Sequence, residues 1–201
     1  MPMSPEQFLA HARSAADADG RLPLAEMSGW GIFPFEQDGL RVVPLDEPVL
    51  PEPARNDEDS PSCKTCARRD EGIWQDEHWR LTRSEESGAP LVLILFSRGH
   101  YDMPTLPDER AAELGRLTVH LVRAIEALPH VARAHVYRVG DGGAHLHVFF
   151  FARPEGFLQL RGSSFVLWDD LLPAIPAEVS TADARTVAVT LAASYGGRVL
   201  D

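Results

Sequence analysis

The sequence predicts an α+β domain: a twisted antiparallel sheet of about five strands carrying one long helix on one face. Three observations lead there. Two strand-like stretches, IWQDEHWRLTR and APLVLILFSR, precede a long helical pattern, and two more, ARAHVYRV and AHLHVFFFAR, follow it. The helical pattern, PDERAAELGRLTVHLVRAIEAL, repeats apolar residues at three- and four-residue steps through Leu114, Leu117, Leu121, Ile125 and Leu128, the mark of a helix with one buried face. A GDGG turn joins the last two strands.

Taken in order, SPEQFLAHARSAADA reads as a helix, with Ser4 as N-cap and Pro5 in the first turn. GWGIFPFEQDGLRVVPL mixes aromatic and β-branched residues with turn formers and predicts one or two short strands. Its Trp30, Phe33 and Phe35 are expected to cover an apolar sheet face. DEPVLPEPARNDEDSPS is proline-rich and acidic. Proline removes donors and fixes φ, so this stretch reads as an extended arm that ends at a CxxC. The strands and the long helix follow, the helix placed at about Pro107 to Leu128. GFLQLRGSSFVLWDDLLPAIPAE reads as irregular, with Asp169 and Asp170 at a solvated turn or helix start. A last helix is expected from near Ser180 to the Gly196-Gly197 stop. The organisation predicted is an N-terminal helix, short strands and arm over 1–60, the sheet domain over 61–156, and a tail with a helix packing back over 157–201.

The chain has 201 residues, 44% of them hydrophobic, enough to build a real core, and a formal net charge of −11. That charge argues against capture of a nucleic-acid polymer, which needs a basic face, but leaves room for a small anionic ligand. No apolar run approaches the roughly 20 residues that span a bilayer, and the start has no signal-peptide pattern, so the expectation is a cytoplasmic protein without a membrane partner.

The chemistry gathers around two cysteines, Cys63 and Cys66 in CKTC, and two histidines, His145 and His147 in HLHVFFF. A CxxC by itself leaves three readings open: half of a metal site, a redox pair, or two unrelated thiols. A tetrahedral Cys₂His₂ zinc site needs two nitrogen ligands more. His100, just past the end of its strand, and His145 stand where both can meet one sheet edge. Strand alternation gives His145, His147 and Phe149 one face and Leu146, Val148 and Phe150 the other.

The run FSRGHYDMPTLPDERAAELG, the helix and strand after it, the glycine turn and HLHVFFFAR together resemble the histidine-triad (HIT) superfamily, whose signature alternates three histidines with apolar residues. The pairing with CxxC is similar to its zinc-containing bacterial members and to the galactose-1-phosphate uridylyltransferase branch. The resemblance covers about Cys63 to Pro154. It implies a HIT-like fold, often dimeric, that binds a nucleotide or nucleoside phosphate. It also implies zinc held by Cys63, Cys66, His100 and His145, and His147 as the nucleophile that attacks an α-phosphate to give a nucleotidyl-histidine. The turn Gly140, Asp141, Gly142 and Gly143 would then offer backbone N–H groups to phosphate oxygens, and Arg153 falls on the family's terminal arginine.

Two departures matter. The third triad position is Phe149, which has no hydrogen-bond donor, so a catalytically reduced protein that binds a nucleotide or a partner, with zinc as scaffold, stays beside the hydrolase or nucleotidyltransferase reading. A second register, with Gly143 first and His145 and His147 second and third, leaves the cysteines one metal partner fewer; Arg153 favours the first.

Overall fold

The structure is a computed structural model and describes residues 5–24, 29, 31–36, 38–44 and 46–200. It divides into two compact units, 1–54 and 55–201.

The first unit holds helix α1, Pro5–Arg13. The N-cap expected at Ser4 and the aromatic at Trp30 lie outside the described residues. The strands expected after residue 29 do not form among the described residues, where turns and irregular chain take their place. A strand persists only when its N–H and C=O groups are paired. Gly39, at φ 85°, and the prolines interrupt this stretch before a ladder can build. Asp17 organises a turn, its Oδ1 accepting from the Asp19 and Arg21 amides, and Arg21 Nη1 donates to the Val42 carbonyl. Phe33 and Phe35 meet edge to face, 5.6 Å between centroids.

The second unit is the α+β domain. After the one-turn helix α2, Lys64–Ala67, come β1 (Trp74–Gln75), β2 (Trp79–Arg83), β3 (Leu91–Ser97), helix α3 (Asp108–Glu126), β4 (Val131–Tyr137) and β5 (His147–Pro154). Helices α4 (Phe165–Leu171) and α5 (Ala177–Ser194) and strand β6 (Arg198–Val199) complete it. All six strands form one antiparallel sheet in the order β4-β5-β3-β2-β1-β6.

Four local outcomes differ from the sequence reading. IWQDEHWRLTR is a tight hairpin rather than one strand, because Asp76 Oδ1 accepts from the amides of both His78 and Trp79 and turns the chain. The stretch read as irregular contains α4, with Asp169 in its last turn rather than at a solvated start. Its Oδ1 accepts from Ser87 Oγ and from the Ala89 amide, which pins the β2–β3 connection. Helix α5 starts just after Pro176, earlier than Ser180. The glycine stop is real, with Gly196 and Gly197 both at positive φ, but it leads into β6. A side chain at Gly197 would stand 2.5 Å from the Trp74 ring, so only glycine lets the chain return against β1.

The two sheet faces are unlike. Leu81, Leu93, Leu95, Leu146, Val148 and Phe150 join Leu117, Leu121 and Ile125 of α3 and Val187, Ala188 and Leu191 of α5 in the main core. The opposite face carries Phe96, His147, Phe149 and Phe151. Its far end is closed by Phe165 of α4 with Leu160, Val92 and Ala89. Leu121 has no solvent exposure. Leu121→Ala should cost about 2–5 kcal/mol, read as a lower midpoint in urea unfolding with an unchanged slope. No described helix is long and apolar enough to cross a membrane.

Candidate metal centre and nucleophile

The CxxC sits on the single turn of α2. Cys63 occupies its N-cap, and its Sγ accepts from the Cys66 amide at 3.2 Å. This turn is capped a second time by Asp57, whose carboxylate takes the Lys64 amide at 2.7 Å, the Thr65 amide at 3.3 Å and the Thr65 hydroxyl at 2.7 Å. Burial would raise the Asp57 carboxyl, but the bonds from Thr65 and Lys64 hold it below the usual carboxylate value.

The two remaining donors arrive from separate loops. His100 follows β3. His145 precedes β5, since the pleat starts only at His147. The four ligand atoms of Cys63, Cys66, His100 and His145 all lie within 4.8 Å of one another. Cys63 Sγ is 3.4 Å from His145 Nδ1, and Cys66 Sγ is 3.3 Å from His100 Nδ1 and 3.5 Å from His145 Nδ1. Zn–S bonds of about 2.3 Å and Zn–N bonds of about 2.0 Å put S and N about 3.5 Å apart on a tetrahedral edge. The spacing therefore matches a tetrahedral ion.

The outer bonds match as well. His145 Nε2 donates to the Ser97 carbonyl at 2.7 Å, and His100 Nε2 donates to the Glu58 carbonyl at 3.3 Å. Each imidazole thus turns its Nδ1 lone pair inward, with the other nitrogen anchored to backbone. Burial pushes the His145 pKa down and keeps the ring neutral, as a ligand must be. Burial, with Cys63 next to it, pushes the Cys66 thiol up to about 11, so without a cation this thiol stays protonated at neutral pH. Two soft sulfurs and two imidazoles at tetrahedral spacing make this a zinc site in its chemistry.

His147 lies outside that cluster. It begins β5 opposite Phe96 and is half-buried. Its Nδ1 donates to the His145 carbonyl at 2.8 Å, which leaves Nε2 as the lone-pair nitrogen. Phe96 flanks the ring at 6.0 Å and Phe149 meets it edge to face at 5.4 Å. The loop Gly140–Gly143 lies beside it: a Cβ on Gly143 would stand 3.8 Å from His147 Cε1. A Cβ on Gly140 would fall on the Arg138 guanidinium, so a side chain there would displace that group from beside Asp102.

Arg153, which the resemblance singled out, lies elsewhere, as do three further histidines. Arg153 is six residues further along β5, about 20 Å at strand spacing. It is buried there, and its Nη1 donates to the Pro154 and Phe157 carbonyls, so it is not gathered with His147 and the glycine loop. His135 shares the sheet face but pairs opposite Phe151, about 13 Å along the strand from His147. Its Nδ1 is bonded to the Tyr137 hydroxyl. His120 contacts Ser194, and His130 pairs with Asp183.

Sequence reasoning missed the stretch before the cysteines. Arg55 pairs with Asp102 at 2.9 Å, Arg138 pairs with the same carboxylate, and Asn56 forms a parallel bridge with Gly143. Burial works to raise the Asp102 carboxyl, but the Met103 amide and the Arg55 guanidinium hold it low.

No family model matches the chain, and no curated protein matches its sequence. Solved structures do match its fold. A zinc-bound histidine triad family protein from Mycobacterium smegmatis superposes with a TM-score of 0.51 at 17% identity, over 68% of this chain and 99% of that one. A hypothetical histidine triad nucleotide-binding protein from Sulfolobus tokodaii strain 7 gives 0.50 at 15% identity, over 67% of this chain and 97% of that one. Together with the sheet order and the helix on its face, these place the domain structurally: its fold is that of the histidine triad proteins.

Proposed function

We propose that this protein binds a nucleoside phosphate between His147 and the loop Gly140–Gly143, and that His147 Nε2 attacks its α-phosphorus. The observation that carries the reading is the 2.8 Å bond from His147 Nδ1 to the His145 carbonyl, which fixes the tautomer with a free lone pair beside a glycine-rich loop. One similar structure is described as a nucleotide-binding protein and another as zinc-bound, in keeping with a phosphate at the loop and zinc in the cysteine–histidine cluster. Zinc there would act as a structural tie.

The residues divide the work. The His147 lone pair forms a P–N bond while the bond from phosphorus to the leaving group breaks and takes its electron pair outward. The resulting nucleotidyl-histidine is then attacked by water or another hydroxyl. The P–N pair returns to Nε2, and the attacking group's proton goes to solvent. Backbone N–H groups of the loop balance the phosphate charge without a basic surface. The test is covalent trapping. A labelled nucleoside phosphoramidate, quenched in alkali, should leave its label on the peptide carrying His147, and label absent from that peptide under single-turnover conditions would remove the nucleophile.

A second reading rests on Phe149. Its ring meets His147 edge to face at the position where the resemblance puts a leaving-group acid, and a positioned acid contributes about 10² to 10⁴ in rate. The protein would then hold a nucleotide and turn it over slowly, favouring leaving groups that depart as stable anions. Phe149→His should raise phosphoramidate hydrolysis by tenfold or more. A histidine variant no faster than wild type, with intact zinc and nucleotide affinity, would show that protonation is not what limits the rate.

A further inference from the structure

The second half of the proline-rich arm contains a strap, Arg55 to Glu58, and each of its four residues is bonded to part of the site. Arg55 Nη1 donates to the Gly140 carbonyl at 3.0 Å while its Nη2 pairs with Asp102. Asn56 Nδ2 donates to the Gly142 carbonyl at 2.9 Å, and the Asn56 carbonyl accepts from the Ala144 amide at 2.8 Å. Asp57 caps the CxxC turn, and the Glu58 carbonyl receives His100 Nε2.

The two held carbonyls set the direction of two amides. In a trans peptide the C=O and the following N–H point opposite ways. With the carbonyls of Gly140 and Gly142 turned to the strap, the N–H groups of Asp141 and Gly143 are turned away from it. Gly143 is also the loop residue beside the His147 ring. A loop with three glycines has little conformational preference of its own, so its peptide planes would rotate at low cost without an outside hold.

We infer that Arg55 and Asn56 are positioning residues: they fix the Asp141 and Gly143 amides as a pair of donors for an anionic oxygen beside His147. This rests on the phosphate-binding reading above. It adds that the loop's shape is imposed by the segment that also frames the metal centre.

The experiment uses the full chain loaded with zinc, adenosine monophosphate as the probe, and two variants that keep the strap's charge. Asn56→Ala removes the bond to Gly142. Arg55→Lys keeps the cation but loses the fork that holds Gly140 and Asp102 together. Each should weaken nucleotide binding by about three- to tenfold and speed exchange of the Ala144 amide, with zinc content and melting temperature close to wild type. Unchanged affinity in both variants overturns the inference, as does a loss that merely follows lost zinc or a lower melting temperature. If the wild type binds no nucleotide, the phosphate reading fails by itself. Ala144 exchange then decides the strap's role: faster exchange supports it and unchanged exchange overturns it.

Discussion

Replacing His147 by alanine should lower turnover of a fluorogenic nucleoside phosphoramidate by a factor on the order of 10⁴ or more, the scale seen when a covalent nucleophile is removed. It should also abolish the labelled adduct. The fold should survive, because the ring is half-exposed at the start of β5 and its hydrogen bond to the His145 carbonyl is worth about 1 kcal/mol. Zinc content should not change, since His147 is outside the four-donor cluster. A His147→Ala protein that still turns over near the wild-type rate would end the nucleophile assignment. A wild type that binds nucleotide tightly without turnover or adduct would leave the binding protein foreshadowed by Phe149.

Cys63→Ser should produce the largest loss of stability. Cys63 is buried, 4% exposed, and its sulfur meets both the Cys66 amide and His145. A hydroxyl is a poor substitute for a thiolate on zinc, and metal binding energy enters folding energy directly at such a site. A loss of about 5 kcal/mol, well below the full binding energy of a structural zinc, would lower the melting temperature by roughly 10–20 °C for a chain of this size. Metal analysis should fall from about one zinc per chain to near none. A chelator should reproduce the shift in the wild type and add little to the variant. Wild type and Cys63→Ser melting together, both free of zinc, would dismiss the metal.

The parts of the fold legible in sequence were those with strong local signals. The α3 periodicity and the apolar runs of β3 and β5 identify themselves, because burial on one face dictates residue type at a fixed period. Helix α4 stayed hidden because its apolar residues, Phe165, Val166, Leu167 and Trp168, run consecutively rather than at helical spacing. The β1–β2 hairpin was hidden because its turn is made by one carboxylate, Asp76, within an otherwise plausible strand. In the site, cysteine and imidazole chemistry is narrow enough to nominate four ligands from spacing and resemblance. Arg55, Asn56, Asp102 and Arg138 gave no such signal. Apart from the neighbouring Glu58 and Thr105, their partners are one another or backbone groups, up to 86 residues away, and no residue type is demanded at the other end of a bond to a carbonyl.

The short stretch from Gly143 to His147 serves three neighbours at alternate positions: Gly143 meets the strap, His145 the cysteines, and His147 the open sheet face. This makes the length of the stretch as strict a requirement as the residues at those three positions. Leu146 between them can be exchanged for another apolar side chain of similar volume at modest cost. One residue gained or lost would rotate every later side chain of β5 to the wrong face, turning His147 toward α3 and Phe150 toward solvent. Descendants of this protein should therefore vary at Ala144 and Leu146 while keeping the count of the stretch with Gly143, His145 and His147, and insertions should accumulate outside it.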